Sequence, residues 1–126
     1  MNVDPMNVQI FGTSKSQDTK KALRFFKERG YRPHFVDLAQ RPMAPGEFGR
    51  FVRRFGLSAL IDQEGKAYRR QGLQYMRVPD EAMMQKLLDD PSLMVQPLVR
   101  VDNKLSVGLA EENWLEWCDV QKRQAK

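Results

Sequence analysis

Ser16 occupies the position in this chain that is best suited to nucleophilic chemistry. Residues 8–11 are apolar enough for a short buried strand, a turn follows at 12–15, and a long amphipathic helix begins at Ser16. The helix dipole and the unpaired N–H groups of such a helix N-terminus favour a thiolate. A serine hydroxyl has a far higher pKa and cannot form a disulfide. The position is therefore suited to thiol chemistry but lacks the thiol.

Two interpretations of Ser16 follow from its place at the start of a helix. It can be an N-cap whose oxygen accepts a backbone N–H of the first turn. Alternatively, the loop 13–19 binds an anion at the helix N-terminus, helped by the charges of two lysines. The loop residues predicted to take part in such binding are Lys15, Gln17, Thr19 and Lys20.

Length and composition indicate one globular domain spanning residues 1–126, without a cofactor. A chain of 126 residues with 41% hydrophobic and 29% charged residues can bury a core. One cysteine and one histidine exclude an internal disulfide and argue against a zinc or iron site. No apolar run approaches the roughly 20 residues that span a bilayer, and the N-terminal residues do not resemble a secretory signal. We expect a cytoplasmic, bacterial protein that does not contact a membrane.

The net charge of +5 and the pI of about 9.6 suggest an acidic partner. The basic residues occur as pairs spread along the chain, at 20–21, 53–54, 69–70 and 122–123. No specific nucleic-acid-binding motif accompanies them. Most of them are therefore expected on solvated helix faces.

The order of predicted elements is β-α-β, a helical insert, then β-β-α. The first helix spans 16–29 and ends at Gly30, and the second strand, 32–38, is expected to run parallel to the first. Residues 41–92 form the insert. Strands at 96–101 and 104–107 flank Asp102 and Asn103, a tight-turn pair, so they form an antiparallel hairpin. A last helix begins near Ala110, and a flexible tail is expected at 119–126.

Apolar spacing predicts which side chains these helices bury. The first helix has Thr19, Ala22, Leu23 and Phe26 on one face, and the insert has Phe48, Phe51, Val52 and Phe55 at helical spacing. Short helical turns are expected at 58–61 and 67–72. Asp80 is predicted to cap a helix that runs to about Asp89 and buries Met84, Leu87 and Leu88.

Two residues of chemical interest have ordinary structural interpretations. Cys118 shares a helix face with Trp114 and Trp117, so burial as a small apolar side chain is expected. A redox role would need exposure and a positive neighbour, and the chain has no second cysteine to resolve a disulfide. His34 is expected to be an isolated strand or surface histidine.

These features together resemble the ArsC/Spx family, which comprises ArsC-type arsenate reductases, Spx transcription regulators and their relatives. The resemblance rests on the order and spacing of matching segments from about Val8 to Trp117: 10–13, 16–22, 35–38, 45–55, 87–91, 97–99 and 107–108. It implies an α/β thioredoxin-like fold with a helical insert and a four-stranded mixed sheet. It also matches Pro97 with the proline that is cis in thioredoxin-like folds and that shapes the pocket beside the active-site loop.

The resemblance implies that this chain has lost the residues of the family's chemistry. In arsenate-reducing members a cysteine at the position of Ser16 attacks the oxyanion. Arginines that hold its oxygens lie near 62–64, at the position of Gln96, and after the hairpin, where this chain has 108–110 without an arginine. In Spx-type members a second cysteine stands where this chain has Thr19. Nucleophile, arginines and redox switch are thus all absent.

Two functions are compatible with this pattern. The first is a binding or regulatory protein without thiol redox activity, whose partner is an oxyanion or a protein, by analogy with Spx-type members that engage RNA polymerase. The second is an arsenate reductase-like oxidoreductase linked to glutathione and glutaredoxin, which would have to use Cys118 or another nucleophile.

Overall fold

Strand β1, Val8–Gly12, is an inner strand of a four-stranded sheet. The structure is a computed structural model that describes residues 6–124, in which the other strands are β2 His34–Asp37, β3 Leu98–Val101 and β4 Lys104–Val107. The strand order is β2-β1-β3-β4. β3 runs antiparallel to both β1 and β4, with Val8 opposite Val101 and Phe11 opposite Leu98. The mixed sheet and the antiparallel hairpin predicted from the sequence are confirmed.

The α-helices of residues 6–124 are α1 Gln17–Glu28, α2 Pro45–Phe55, α3 Lys66–Arg70, α4 Asp80–Asp89 and α5 Glu111–Gln124. Short 3₁₀ turns occur at Ser58–Leu60, Leu73–Tyr75 and Pro91–Leu93. These bounds confirm that the chain between the second and third strands is helical. The described residues fall into two compact units, 6–36 with 96–124 and 37–95. That the whole chain is a single folding domain stays a prediction.

Helices α1 and α5 pack against the sheet in the first unit. Ala22 and Phe26 of α1 and Trp114 of α5 share a core with the sheet residues Ile10 and Val99, and all five side chains are fully buried. The ring centroid of Trp114 lies 5.6 Å from that of Phe26. The core therefore forms where the apolar faces of two helices meet one face of the sheet.

The second unit is built from α2, α3, α4 and the three 3₁₀ turns. An antiparallel bridge between Ile61 and Met94 joins its middle to its C-terminal end, and the backbone N–H of Asp62 donates to the carbonyl of Leu93 at 2.8 Å. The buried apolar side chains are Leu38, Met43, Phe48, Phe51, Leu60, Leu73, Met83, Leu87, Leu88, Leu93 and Met94. The apolar side chains of this segment are therefore largely shielded from solvent.

The buried faces of three helices differ in part from the prediction. In α1, Phe25 is buried and Leu23 is only partly buried, because the Phe25 ring lies edge-on to Trp114 of α5, at 5.5 Å between centroids. In α2, Phe48 and Phe51 are buried, but Phe55 at the C-terminal end is exposed. In α4 the buried methionine is Met83 and not Met84.

The structure differs from the prediction at the start of α4 and extends α5 further than expected. Asp80 does not cap α4, because the N-cap is Pro79 and Asp80 is the first helical residue, where its charge favours the positive end of the helix dipole. Residues 119–124 are helical and continue α5 beyond the buried Cys118, and the flexibility of this segment stays a prediction. Residues 125–126 of the predicted tail lie outside the described residues.

Candidate functional site

Ser16 is the N-cap of α1, four residues beyond the end of β1. Its backbone is extended, its Oγ accepts a hydrogen bond from the backbone N–H of Thr19 at 3.2 Å, and its own N–H donates to the carbonyl of Thr13 at 3.1 Å. The carbonyl of Ser16 accepts from the N–H of Lys20 at 3.2 Å. The capping interpretation of Ser16 is therefore confirmed. The same geometry leaves the N-terminus of a 12-residue helix at this loop, where further N–H groups lack helical partners.

Gln96 connects the second half of the sheet to this loop. Its Oε1 accepts two hydrogen bonds from Thr13, one from the backbone N–H at 2.8 Å and one from the hydroxyl at 3.1 Å. The peptide bond between Gln96 and Pro97 is cis, as the resemblance implied, and Pro97 is buried. Gln96 therefore lies against the loop that holds Ser16, and its carboxamide oxygen is directed at the loop backbone.

Thr13 begins the predicted binding loop, but its hydrogen bonds with Gln96 were not predicted. A threonine in a turn carries no signal by itself, and its partner is 83 residues away in the chain. Such a contact becomes visible only after the sheet has brought β1 and β3 together.

Thr19 does not contribute its side chain to an exposed binding site. It is fully buried, and its Oγ1 has no hydrogen-bond partner among the residues that the structure describes. The side chain packs against Gly12, where an added Cβ would lie 2.8 Å from Thr19 Cγ2. The contact explains why a glycine ends β1. What Thr19 offers at the loop is its backbone N–H, which is already donated to Ser16.

Lys15, Gln17 and Lys20 lie in or beside the same loop with exposed side chains. Their exposure is compatible with recruiting an anion from solvent, and the two lysines add positive charge there. The structure thus brings Gln96 and Pro97 to the Ser16 loop, places the two lysines and Gln17 at the surface around it, and turns the Thr19 side chain inward.

Cys118, the one cysteine of the chain, lies in the core of the first unit. It is 1% exposed, and burial raises the pKa of its thiol, although the nearby charge of Arg29 acts in the opposite direction. The hydroxyl of Tyr31 is a hydrogen-bond partner of this thiol, and burial together with Cys118 raises the pKa of that tyrosine. A buried thiol with a raised pKa is a weak nucleophile. The structural interpretation of Cys118 as a buried apolar residue is confirmed.

The structure also bears on His34, on metal ligands and on membrane-spanning helices. His34 is exposed on β2, as an isolated histidine. Within residues 6–124, no three His, Cys, Asp or Glu side chains are grouped so that they could hold a metal ion. Over the same residues, no helix has both the length and the apolar character to cross a membrane.

Comparison with known proteins agrees with the fold described above. The sequence profile of the ArsC family matches residues 11–117. An arsenate reductase of Neisseria meningitidis serogroup A is 24% identical over 84% of this chain and 93% of its own length. The global transcriptional regulator Spx 2 of Oceanobacillus iheyensis is 23% identical over 89% of this chain and 93% of its own length. The solved structure of an arsenate reductase from Vibrio cholerae has the same fold, with a TM-score of 0.76, 20% identity and coverage of 90% and 98% of the two chains.

Proposed function

Since the chain belongs to the ArsC family, we propose that it is a binding or regulatory member of that family without thiol redox activity. The observation that carries the proposal is the N-cap of α1, where Ser16 Oγ is engaged by the Thr19 N–H at the position that the resemblance assigns to the attacking cysteine. The hydroxyl serves the helix as a cap, and it has neither the acidity nor the sulfur chemistry of a thiol.

Two further features support the loss of redox chemistry. Cys118 is enclosed in the core, so it would have to leave its packing against α1 and the sheet before it could react with a disulfide or an oxyanion. Thr19, which stands where Spx-type members have their second cysteine, is fully buried against Gly12. Neither residue supplies a replacement for the thiol that position 16 lacks.

The loop retains the means to bind an oxyanion weakly. Backbone N–H groups at the N-terminus of α1 and the charges of Lys15 and Lys20 favour an anion such as phosphate, sulfate or arsenate. The position that carries an arginine in arsenate-reducing relatives holds Gln96, whose oxygen is bonded to Thr13. Without a bidentate guanidinium, dehydration of the anion is poorly compensated. We expect millimolar affinity, equivalent to about 4 kcal/mol.

A protein is the other partner that the proposal allows. Spx-type members engage RNA polymerase, and the regulator Spx 2 is among the relatives of this chain. A regulatory protein of this kind needs the folded surface but not the thiol. A chain that keeps the whole ArsC-like scaffold but has Ser16 in the nucleophile position fits such a role.

Reconstruction of the thiol is the direct test. Arsenate reduction is followed through NADPH oxidation with glutathione, glutaredoxin and glutathione reductase, for the wild type, Ser16→Cys and the matched control Ser16→Ala. We expect background rates for the wild type and Ser16→Ala. Activity in Ser16→Cys alone would mean that the site lacks only its nucleophile, and inactivity of all three would mean that the missing arginines are also required.

Activity of the wild-type protein would contradict the proposal and support the alternative, an arsenate reductase-like oxidoreductase. Cys118→Ala decides which nucleophile such an activity uses, because it removes the one native thiol. Binding is tested separately by titrating phosphate while the backbone amides of residues 16–19 are followed by NMR. If the amide resonances of other segments shift but those of this loop do not, the loop does not bind the anion and Ser16 only caps the helix.

A further inference from the structure

We propose that the surface formed by Arg69, Arg70, Tyr75, Met76 and Arg77, here called the Tyr75 surface, binds single-stranded nucleic acid. Tyr75 would stack on an unpaired base, and the arginines would contact the phosphates on either side of it. The inference concerns the second unit alone and is independent of the function proposed for the Ser16 loop.

The side chains of this surface are unusually exposed for their types. Tyr75 is 88% exposed and Met76 is 55% exposed, and the three arginines are exposed as well. Most tyrosines in a folded domain bury much of the ring. An aromatic ring with both faces in water, beside an exposed methionine, marks a contact site for another molecule.

The backbone that carries Tyr75 is nevertheless held in place. Leu73, two residues earlier, is 3% exposed and anchors the turn in the interior of the second unit. Gly72 adopts a left-handed conformation, φ 69°, which lets α3 continue directly into the 3₁₀ turn. Gln71 Nε2 donates to Asp90 Oδ2 at 3.0 Å. The exposure of Tyr75 therefore belongs to an anchored turn.

The residues that define the surface carry positive charge only, and the carboxylate of Asp90 lies near Arg70. Residues 66–77 contain four basic residues and no Asp or Glu. Arg69 and Arg77 have no carboxylate within 4 Å in the part of the chain that the structure describes, whereas Arg70 acts electrostatically on Asp90. From Arg50 to Arg77 the chain has seven basic and two acidic residues, a net charge of +5 that equals the charge of the whole protein. The positive charge is thus concentrated in this region of the chain.

Nucleic acid suits this surface better than an acidic protein segment. The three basic residues of this surface are all arginines, whose planar guanidinium matches phosphate in a bidentate way. Positive charge with a free aromatic face is the combination by which proteins bind single strands without a sequence motif. The bases of a duplex are already stacked, so an unpaired strand is the expected partner.

The test uses fluorescence anisotropy of a fluorescein-labelled single-stranded oligonucleotide of about 12 nucleotides, a length within the usual site size. We expect Tyr75→Ala to weaken binding about fivefold or more, as loss of one stacked base does. Tyr75→Phe keeps the ring and should bind like the wild type. Tyr75→Leu keeps apolar area without the flat ring and should bind like Tyr75→Ala.

The arginines are tested through the dependence of affinity on salt. Arg69→Gln with Arg77→Gln should lower the slope of log K against log salt by about 0.7 for each phosphate that the protein no longer neutralises. The matched control is Lys21→Gln with Lys27→Gln, which removes the same charge from the exposed face of α1 and should leave the slope unchanged.

Several results would overturn the proposal. The first is that the protein does not bind the oligonucleotide at low salt, and the second is that Tyr75→Ala binds it as tightly as the wild type does. The third is that the wild type binds a duplex of the same length as tightly as the single strand. A poly-glutamate peptide that binds as tightly as the oligonucleotide, with the same weakening in Tyr75→Ala, would assign the surface to an acidic protein segment instead.

Discussion

The carboxamide oxygen of Gln96 accepts hydrogen bonds from both the backbone N–H and the hydroxyl of Thr13, at 2.8 and 3.1 Å. The two residues are 83 positions apart, and the contact links the residue before the cis proline to the loop that leads into α1. Gln96, at the position where the resemblance implies an arginine, therefore has a structural role here.

Gln96→Leu is expected to destabilise the protein by about 1–3 kcal/mol, because the part-buried N–H of Thr13 is left without its acceptor. The free energy of unfolding in urea measures the change. Gln96→Glu is the matched control, since its carboxylate still offers an oxygen to both donors, and it should be clearly less destabilised. Equal destabilisation of the two variants would mean that the Gln96–Thr13 hydrogen bonds do not hold the loop.

Thr19→Val is expected to leave stability unchanged or to raise it by up to about 1 kcal/mol, because it replaces a buried hydroxyl without a partner by a methyl group of similar volume. Ser106 is the matched contrast. Its buried hydroxyl accepts a hydrogen bond from Trp114 Nε1 at 2.8 Å, so Ser106→Ala should cost about 1–3 kcal/mol. Thermal unfolding of both variants tests the pair, and a destabilised Thr19→Val would show that Thr19 Oγ1 has a partner in solution.

A cysteine at position 16 is expected to ionise more readily than an ordinary thiol. In Ser16→Cys/Cys118→Ala the sulfur would meet the N–H groups of α1 and the helix dipole, which lower its pKa below about 8.5. The rate of iodoacetamide labelling against pH gives that pKa. Ser14→Cys/Cys118→Ala, with its thiol in the exposed turn before the cap, is the control for an unshifted cysteine. If the labelling rates of the two variants depended on pH in the same way, the helix N-terminus would not stabilise a thiolate at position 16.

The native thiol should behave in the opposite way. Burial raises the pKa of Cys118 and closes it to reagents. We expect the folded wild type to resist labelling at neutral pH and to react fully in denaturant. Labelling of the native protein as fast as that of the Ser14→Cys control would contradict the buried position.

The stability of the second unit is expected to depend on pH through Asp90. The hydrogen bond from the Ser92 hydroxyl is the main cause that lowers the pKa of Asp90 below its ordinary value of 3.8, while burial acts against it. Because the pKa of Asp90 is lower in the folded than in the unfolded state, its ionised carboxylate stabilises the fold at pH values above the unfolded pKa. This contribution disappears as the pH falls below about 3.8. Ser92→Ala should therefore cost at most about 1 kcal/mol near neutral pH, since solvent partly screens Asp90, and less in acid.

Unfolding at several pH values measures this difference. In an Asp90→Asn background the effect of Ser92→Ala should no longer vary with pH, because the titrating group has been removed. A variation that persists there would assign the pH dependence to another carboxylate.

The local elements of the fold were determined by the sequence. The position of β1, the start of α1 at Ser16, the stop at Gly30 and the helical character of the insert follow from apolar spacing, capping residues and glycine. These signals act between residues close in the chain, so they need no tertiary information. The absence of a thiol at position 16 is likewise visible in the sequence.

Only the tertiary structure decided which residues at the edges of the predicted apolar faces are buried and what the polar groups bind. Phe25 is buried because α5 places Trp114 against it, and Gln96 meets Thr13 because β3 pairs with β1. The exposure of Tyr75 depends on how Leu73 anchors its turn. Each of these outcomes depends on the packing of distant segments, which periodicity within one segment does not encode.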